Sequence, residues 1–165
     1  MKTDERQVDR LDVDLVRRGW ARLEGMYFPD LTPYEYGRTK RRRNVLNVGW
    51  LSSDHPFSTG AQNERLIAAL QRLVEFPVNL FRGSHLCEFC PSPPTKLSPG
   101  GLRFLDPVPG TTGNGEIRIT AGNGVTYVAP VLVLHYVVAH GYSPPQEFVD
   151  AAILATPPEP QGGAP

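Results

Sequence analysis

The sequence predicts an α+β domain: a small mixed sheet with a β-hairpin, three main helices and a zinc-binding loop. Three observations carry this. Glu116-Ile117-Arg118-Ile119-Thr120 and Val125-Thr126-Tyr127-Val128 are strand-like runs joined by Ala121-Gly122-Asn123-Gly124, and Asn-Gly is the strongest short-range hairpin signal. Thr59 to Glu75 carries Leu66, Leu70, Leu73 and Val74 at helical spacing. His85, Cys87 and Cys90 form His-x-Cys-x-x-Cys with the chain's only two cysteines, and a Cys-x-x-Cys turn presents two thiolates along one edge of a tetrahedron.

Taken in order, residues 1–26 read as an N-terminal arm or a weak amphipathic helix from about Asp9 to Leu23, its apolar stripe drifting around Gly19. Pro29 and Pro33 bar a continuous helix through the next stretch. Tyr27, Phe28, Tyr34 and Tyr36 should pack against the domain. Val45 to Leu51 reads as a strand and Ser52 to Gly60 as the loop after it. Ser58 or Thr59 would cap the long helix, and Pro77 would end it. Val78 to Arg82 alternates as a short strand. Pro91 to Gly115 holds six prolines and five glycines and reads mostly as loop. After the hairpin, Pro130 should open a helix at its first position. That helix should run to about His140, with Gly141 as its terminator. A last helix covers Pro145 to Leu154, with Phe148, Val149, Ala152 and Ile153 on one side. Thr156 to Pro165 reads as a disordered Pro/Gly tail, which leaves 27–155 as a single domain.

Composition narrows the function. The 165 residues suit one domain with a real core. Seventeen Lys and Arg balance 17 Asp and Glu, which argues against a general polyanion binder. No stretch approaches the roughly 18 apolar residues of a membrane span, and Met1 to Arg6 leads into no apolar signal region. Nucleotide-binding glycine loops, His-Glu-x-x-His and Gly-x-Ser-x-Gly are missing. A cytoplasmic address is the expectation, with the cysteines as reduced thiols or metal ligands.

The chemistry therefore centres on Cys87 and Cys90. Two further ligands are needed, and four histidines are on offer. His85 lies two residues before Cys87, and His135 and His140 follow Cys90 by 45 and 50 residues. Two thiolates and two imidazoles suit Zn²⁺. His135 and His140 lie about 140° apart around a regular helix, so they should not both reach one ion without distortion. Which two of His85, His135 and His140 complete the site stays open. His55, before Pro56-Phe57, reads as a surface or turn histidine. Glu88, the carboxylate between the cysteines, should face solvent. A redox pair is the competing reading, but Pro91 directly after Cys90 argues against a helix starting there. A structural disulfide is a weaker competitor in a reducing compartment.

Five of the six residues from Arg38 to Arg43 are basic. Such a run can contact phosphates or serve as a solvated edge. Neutral overall charge and no adjacent recognition helix favour the second.

Several segments together resemble a family of small uncharacterised bacterial proteins, a domain of unknown function. They are Asp30-Leu31-Thr32-Pro33-Tyr34-Glu35-Tyr36, Leu46-Asn47-Val48-Gly49-Trp50-Leu51, His55-Pro56-Phe57, His85-x-Cys87-x-x-Cys90, Tyr127-x-Ala129-Pro130 and His135-Tyr136-x-x-x-His140-Gly141-Tyr142-x-Pro144-Pro145-x-x-Phe148. The resemblance spans roughly 27–153 and brings no activity with it. The expected function is a non-enzymatic module with one structural zinc and an unidentified protein partner, in a bacterial cytosol. The other classes in play are a thiol-redox or zinc-dependent enzyme and a nucleic-acid accessory protein acting through residues 38–43.

Overall fold

Strand-forming residues at 45–47, 116–120 and 126–130 assemble the sheet on which everything else rests. The computed structural model describes residues 26–35, 44–80 and 84–155; the weak helix near Asp9–Leu23, Tyr36, the basic run 38–43 and the tail 156–165 lie outside them. Strand β1 (Val45–Asn47) runs parallel to β7 (Thr126–Pro130), with Leu46 opposite Tyr127. On its other edge β7 pairs antiparallel with β6 (Glu116–Thr120), Ile117 facing Ala129. This is the predicted hairpin. It encloses a turn in which Gly124 N–H donates to the Ala121 carbonyl.

Alternation along β6 and β7 divides the sheet between two cores. Ile117, Ile119, Tyr127 and Ala129 join the larger one. There they meet α1 (Glu64–Val74), α2 (Val133–His140) and α3 (Gln146–Leu154). The spacing of Leu66, Leu70 and Leu73 puts one face of α1 inside, and α1 packs against both other helices. Val128 points the other way and joins Tyr34, Val45 and Trp50 in a smaller cluster. Among the described residues, three helices and small sheets with antiparallel hairpins make the fold α+β, as the sequence predicts.

The boundaries differ from the sequence reading in instructive ways. α1 starts five residues late. Its cap is Asn63, whose side-chain oxygen accepts from the N–H groups of Arg65 and Leu66, not Ser58 or Thr59. Those two are held extended: the Ser58 carbonyl accepts from Ser143 N–H, and Thr59 bridges Tyr142. Pro130 ends β7 rather than opening a helix, because Val131 N–H continues the pairing to the Gly115 carbonyl and α2 begins only at Val133. The first strand stops at Asn47 because Gly49 turns the chain at φ 71°, where a Cβ would sit 2.9 Å from Val133 Cγ2. Of the strand expected over Val78 to Arg82, the described part, 78–80, makes a single bridge, Val78 to Glu116, and Phe81 and Arg82 lie outside the described residues.

The Pro/Gly-rich stretch is also less of a loop than expected. β3 (Thr95–Leu97) and β4 (Arg103–Leu105) form a hairpin of their own. β5 (Thr112–Gly113) pairs with β2 (His85–Leu86). Strands of two or three residues are too short for a periodicity to register.

A buried charge lies where the N-terminal segment meets the sheet. Glu116 is 0% exposed. One carboxylate oxygen accepts from Asn79 Nδ2 at 2.6 Å and from Arg118 Nε and Nη2 at 2.7 Å. The other accepts from the Tyr34 hydroxyl at 2.7 Å. Burial and the carboxylate both push the Tyr34 hydroxyl well above its ordinary titration range, so it stays a donor. Tyr34→Phe removes one donor and leaves a buried carboxylate oxygen short. It should cost about 1–3 kcal/mol; an unchanged urea midpoint would show that Glu116 does not need this partner.

Candidate metal centre

The Cys-x-x-Cys turn is held at one end by β2, and the residue just before its partner β5 supplies the anchor beyond it: Cys87 N–H donates to the Thr111 carbonyl at 2.9 Å. Opposite stands the end of α2. Gly141, at φ 65°, terminates that helix, and Tyr142 N–H folds back onto the Tyr136 carbonyl. His140 is thus the last helical residue.

Four side chains converge between turn and helix end. The ligand atoms of Cys87, Cys90, His135 and His140 all lie within 4.8 Å of one another. Cys87 Sγ is 3.3 Å from His140 Nε2, and Cys90 Sγ is 3.3 Å from His135 Nε2 and 3.5 Å from His140 Nε2. The two Nε2 atoms are 3.1 Å apart. A tetrahedral Zn²⁺ with bonds of about 2.3 Å to sulfur and 2.0–2.1 Å to nitrogen has S–N edges of about 3.5 Å and an N–N edge of about 3.3 Å. The four atoms already stand close to those spacings, so they could hold a metal ion.

Two readings of the histidines need correction. His135 and His140 do both reach one point, despite their separation around the helix. Their rings, 4.9 Å apart between centroids and 75° to one another, approach from two flanks and meet at their Nε2 tips beyond the helix surface. Helix-wheel angles locate Cβ atoms and ignore the length of an imidazole. His85 stays outside the group. It sits in β2 opposite Gly113 and lines a narrow apolar slot with Trp50, Leu51, Pro130 and Tyr136. One residue separates it from Cys87, and strand alternation turns neighbours two apart to a common face only while the strand continues; here it ends at Leu86. His55 stacks on Tyr27 at 3.7 Å and is exposed, as a turn histidine should be.

The two residues between the cysteines are the ones the sequence reading undervalued. Glu88 does not simply face solvent: its Oε2 accepts from Ser53 N–H at 2.8 Å and Ser53 Oγ at 3.0 Å. Burial pushes this carboxyl up, but the Ser53 donors and the nearby His85 outweigh it and hold it below its usual range. Phe89 meets Phe57 and Tyr136 edge-on, at 5.2 Å and 5.8 Å. The turn is therefore bolted to the 52–58 loop by one polar and one aromatic contact. Only the His55-Pro56-Phe57 segment hinted at this.

Burial pushes the Cys87 thiol up to about 11. Burial, then the charge of His140, lowers His135. Both shifts favour the neutral forms in the metal-free site.

Fold and site together define the class: a small α+β domain with a Cys₂His₂ cluster between a Cys-x-x-Cys turn and a helix C-terminus. The chain belongs to the family described as Domain of unknown function (DUF7919), whose profile matches residues 26–153. No curated protein and no solved structure matches it. Among the described residues no helix is long and apolar enough to cross a membrane.

The shifts set the pH dependence of metal binding. Below about pH 11 the Cys87 thiol holds a proton that a metal must displace. Each displaced proton tightens apparent binding about tenfold per pH unit as pH rises. A competition titration of metal-free protein between pH 6 and 9 should show at least this slope. An affinity independent of pH would remove Cys87 from the ligand set.

Proposed function

We propose that the four-residue centre holds one structural Zn²⁺ and that the domain it organises is a protein-binding module. The observation that carries the metal assignment is the donor set itself: two sulfurs and two imidazole nitrogens at tetrahedral spacings, a combination that suits zinc. Four protein ligands leave no coordination position for water or substrate, which supports a structural over a catalytic role. Glu88, the nearest carboxylate in sequence, is engaged by Ser53. A redox role for the cysteines is disfavoured as well. Activated thiols have lowered pKa values, and burial moves Cys87 the other way.

The binding role draws on the β3–β4 hairpin. Leu97 and Leu102 at its tip are 64% and 76% exposed, and Phe104 is 45% exposed. Clustered exposed apolar residues of this kind suit a partner surface. The nucleic-acid reading rests on residues 38–43, outside the described residues, and gains no support from the site.

Purified protein should carry about one zinc per chain by elemental analysis. Cys87→Ser should lose it and lower Tm by roughly 10 °C or more, because metal binding is folding free energy in small sites. His85→Ala should keep the zinc. The thiols should react slowly with a maleimide until a strong chelator is added. Metal-free protein whose Tm does not respond to chelator or to added zinc would overturn the assignment.

A further inference from the structure

The loop held by Glu88 and Phe89 contributes Pro56, Phe57 and Ser58 to the wall of a cleft. The cleft has a volume of about 340 Å³ and is lined by Tyr27, Phe28, Asp30, Leu51, Pro56 and Phe57, with Ser58 at its edge. Asp30 and the Pro56-Phe57 pair, none of them among the four metal-ligand candidates, meet here.

Among the described residues Asp30 is the one charged residue in this lining. Its carboxylate is held rigidly from behind. Oδ1 accepts from Gly49 N–H at 2.8 Å, and the Tyr142 hydroxyl lies 2.9 Å from both oxygens. Tyr142 is 2% exposed. One N–H and one O–H thus serve a carboxylate with about four acceptor positions. Among the described residues no Lys or Arg forms an ion pair with it. The negative charge is positioned, and acceptor capacity remains.

The aromatic walls are positioned too. Tyr27 is backed by the His55 ring, stacked within 7° of parallel. Phe57 is gripped edge-on between Phe89 at 5.2 Å and Tyr142 at 6.0 Å. A carboxylate in a cleft that aromatic rings also line can attract a cation in two ways, by charge and by the ring quadrupole. Leu51 and Pro56 add an apolar surface suited to a methylene stem. Among the described residues no cationic side chain lines the cleft, so a cationic ligand would supply the carboxylate's counter-charge.

We propose that this cleft binds an alkylammonium group, carried either by a free amine or by a lysine side chain. The proposal goes beyond the zinc assignment and uses none of the four ligands. Zinc content, measured separately, reports on that assignment alone.

The test is a chemical-shift titration of the ¹⁵N-labelled full chain, purified with its metal, at constant ionic strength. n-Butylammonium should give saturable shifts at Tyr27, His55 and Phe57, and n-butanol should bind about tenfold more weakly or worse. Asp30→Asn keeps an Oδ1 acceptor for Gly49 and Tyr142 but loses the charge, and should weaken n-butylammonium binding by about tenfold. Tyr27→Leu should weaken it by about threefold or more. N-acetyl-lysine methylamide separates the sources. Binding at least as tight as that of n-butylammonium, abolished by Nε-acetylation, supports a lysine side chain; tighter binding of the free amine supports a small-molecule ligand. No saturable shifts, equal binding of n-butanol, or unchanged affinity in both variants would overturn the proposal. If Asp30→Asn fails to fold, Tyr27→Leu and the neutral alcohol still decide it.

Discussion

Gly141 takes the left-handed conformation, at φ 65°, that stops α2 at His140, and the geometry of both sites draws on that stop. A residue with a Cβ would resist this backbone, whereas glycine adopts it freely. His140 is the last helical residue, and its Nε2 lies 3.1 Å from that of His135. Because the chain reverses there, the Gly141 carbonyl accepts from Gly60 N–H and Ser143 N–H reaches the Ser58 carbonyl. The reversal also buries Tyr142 with its hydroxyl on Asp30. One backbone conformation serves the metal centre on one side and the Asp30 cleft on the other.

The Cys-x-x-Cys turn answers this helix end from across the molecule, and the contacts around it are of two kinds. Behind Cys87 lies the larger apolar core, with Leu66, Leu70 and Tyr136, which removes the thiol from water and raises its pKa. In front, Glu88 and Phe89 hold the 52–58 loop. A metal ion bridging turn and helix would replace the missing covalent link between two segments some 45–50 residues apart in sequence. It would also offset the cost of bringing four polar ligand atoms together in a partly buried place.

Glu116 plays a comparable part on the opposite face of the sheet. There Tyr34, Asn79 and Arg118 arrive from three parts of the chain to satisfy one buried carboxylate. In the sequence Glu116 is merely the first residue of an alternating strand. Its partners lie 82, 37 and 2 positions away, and nothing local marks the first two.

The features legible in the sequence were those set by neighbouring residues. The Asn-Gly turn specifies the β6–β7 hairpin, the leucine spacing specifies the buried face of α1, and the Cys-x-x-Cys spacing specifies a two-thiolate edge, because each is governed by contacts within a few residues. Gly141 could be named as a helix terminator for the same reason. Tertiary structure decided the rest. It pairs 58–60 with 141–143 and so moves the start of α1 to Asn63; it carries β7 through Pro130; and it selects His135 and His140 over the sequence-adjacent His85. That last choice depends on where two distant segments meet and on how far an imidazole reaches from its Cβ. Neither distance is encoded in spacing along the chain, so only the packing of α2 against the cysteine turn could settle it.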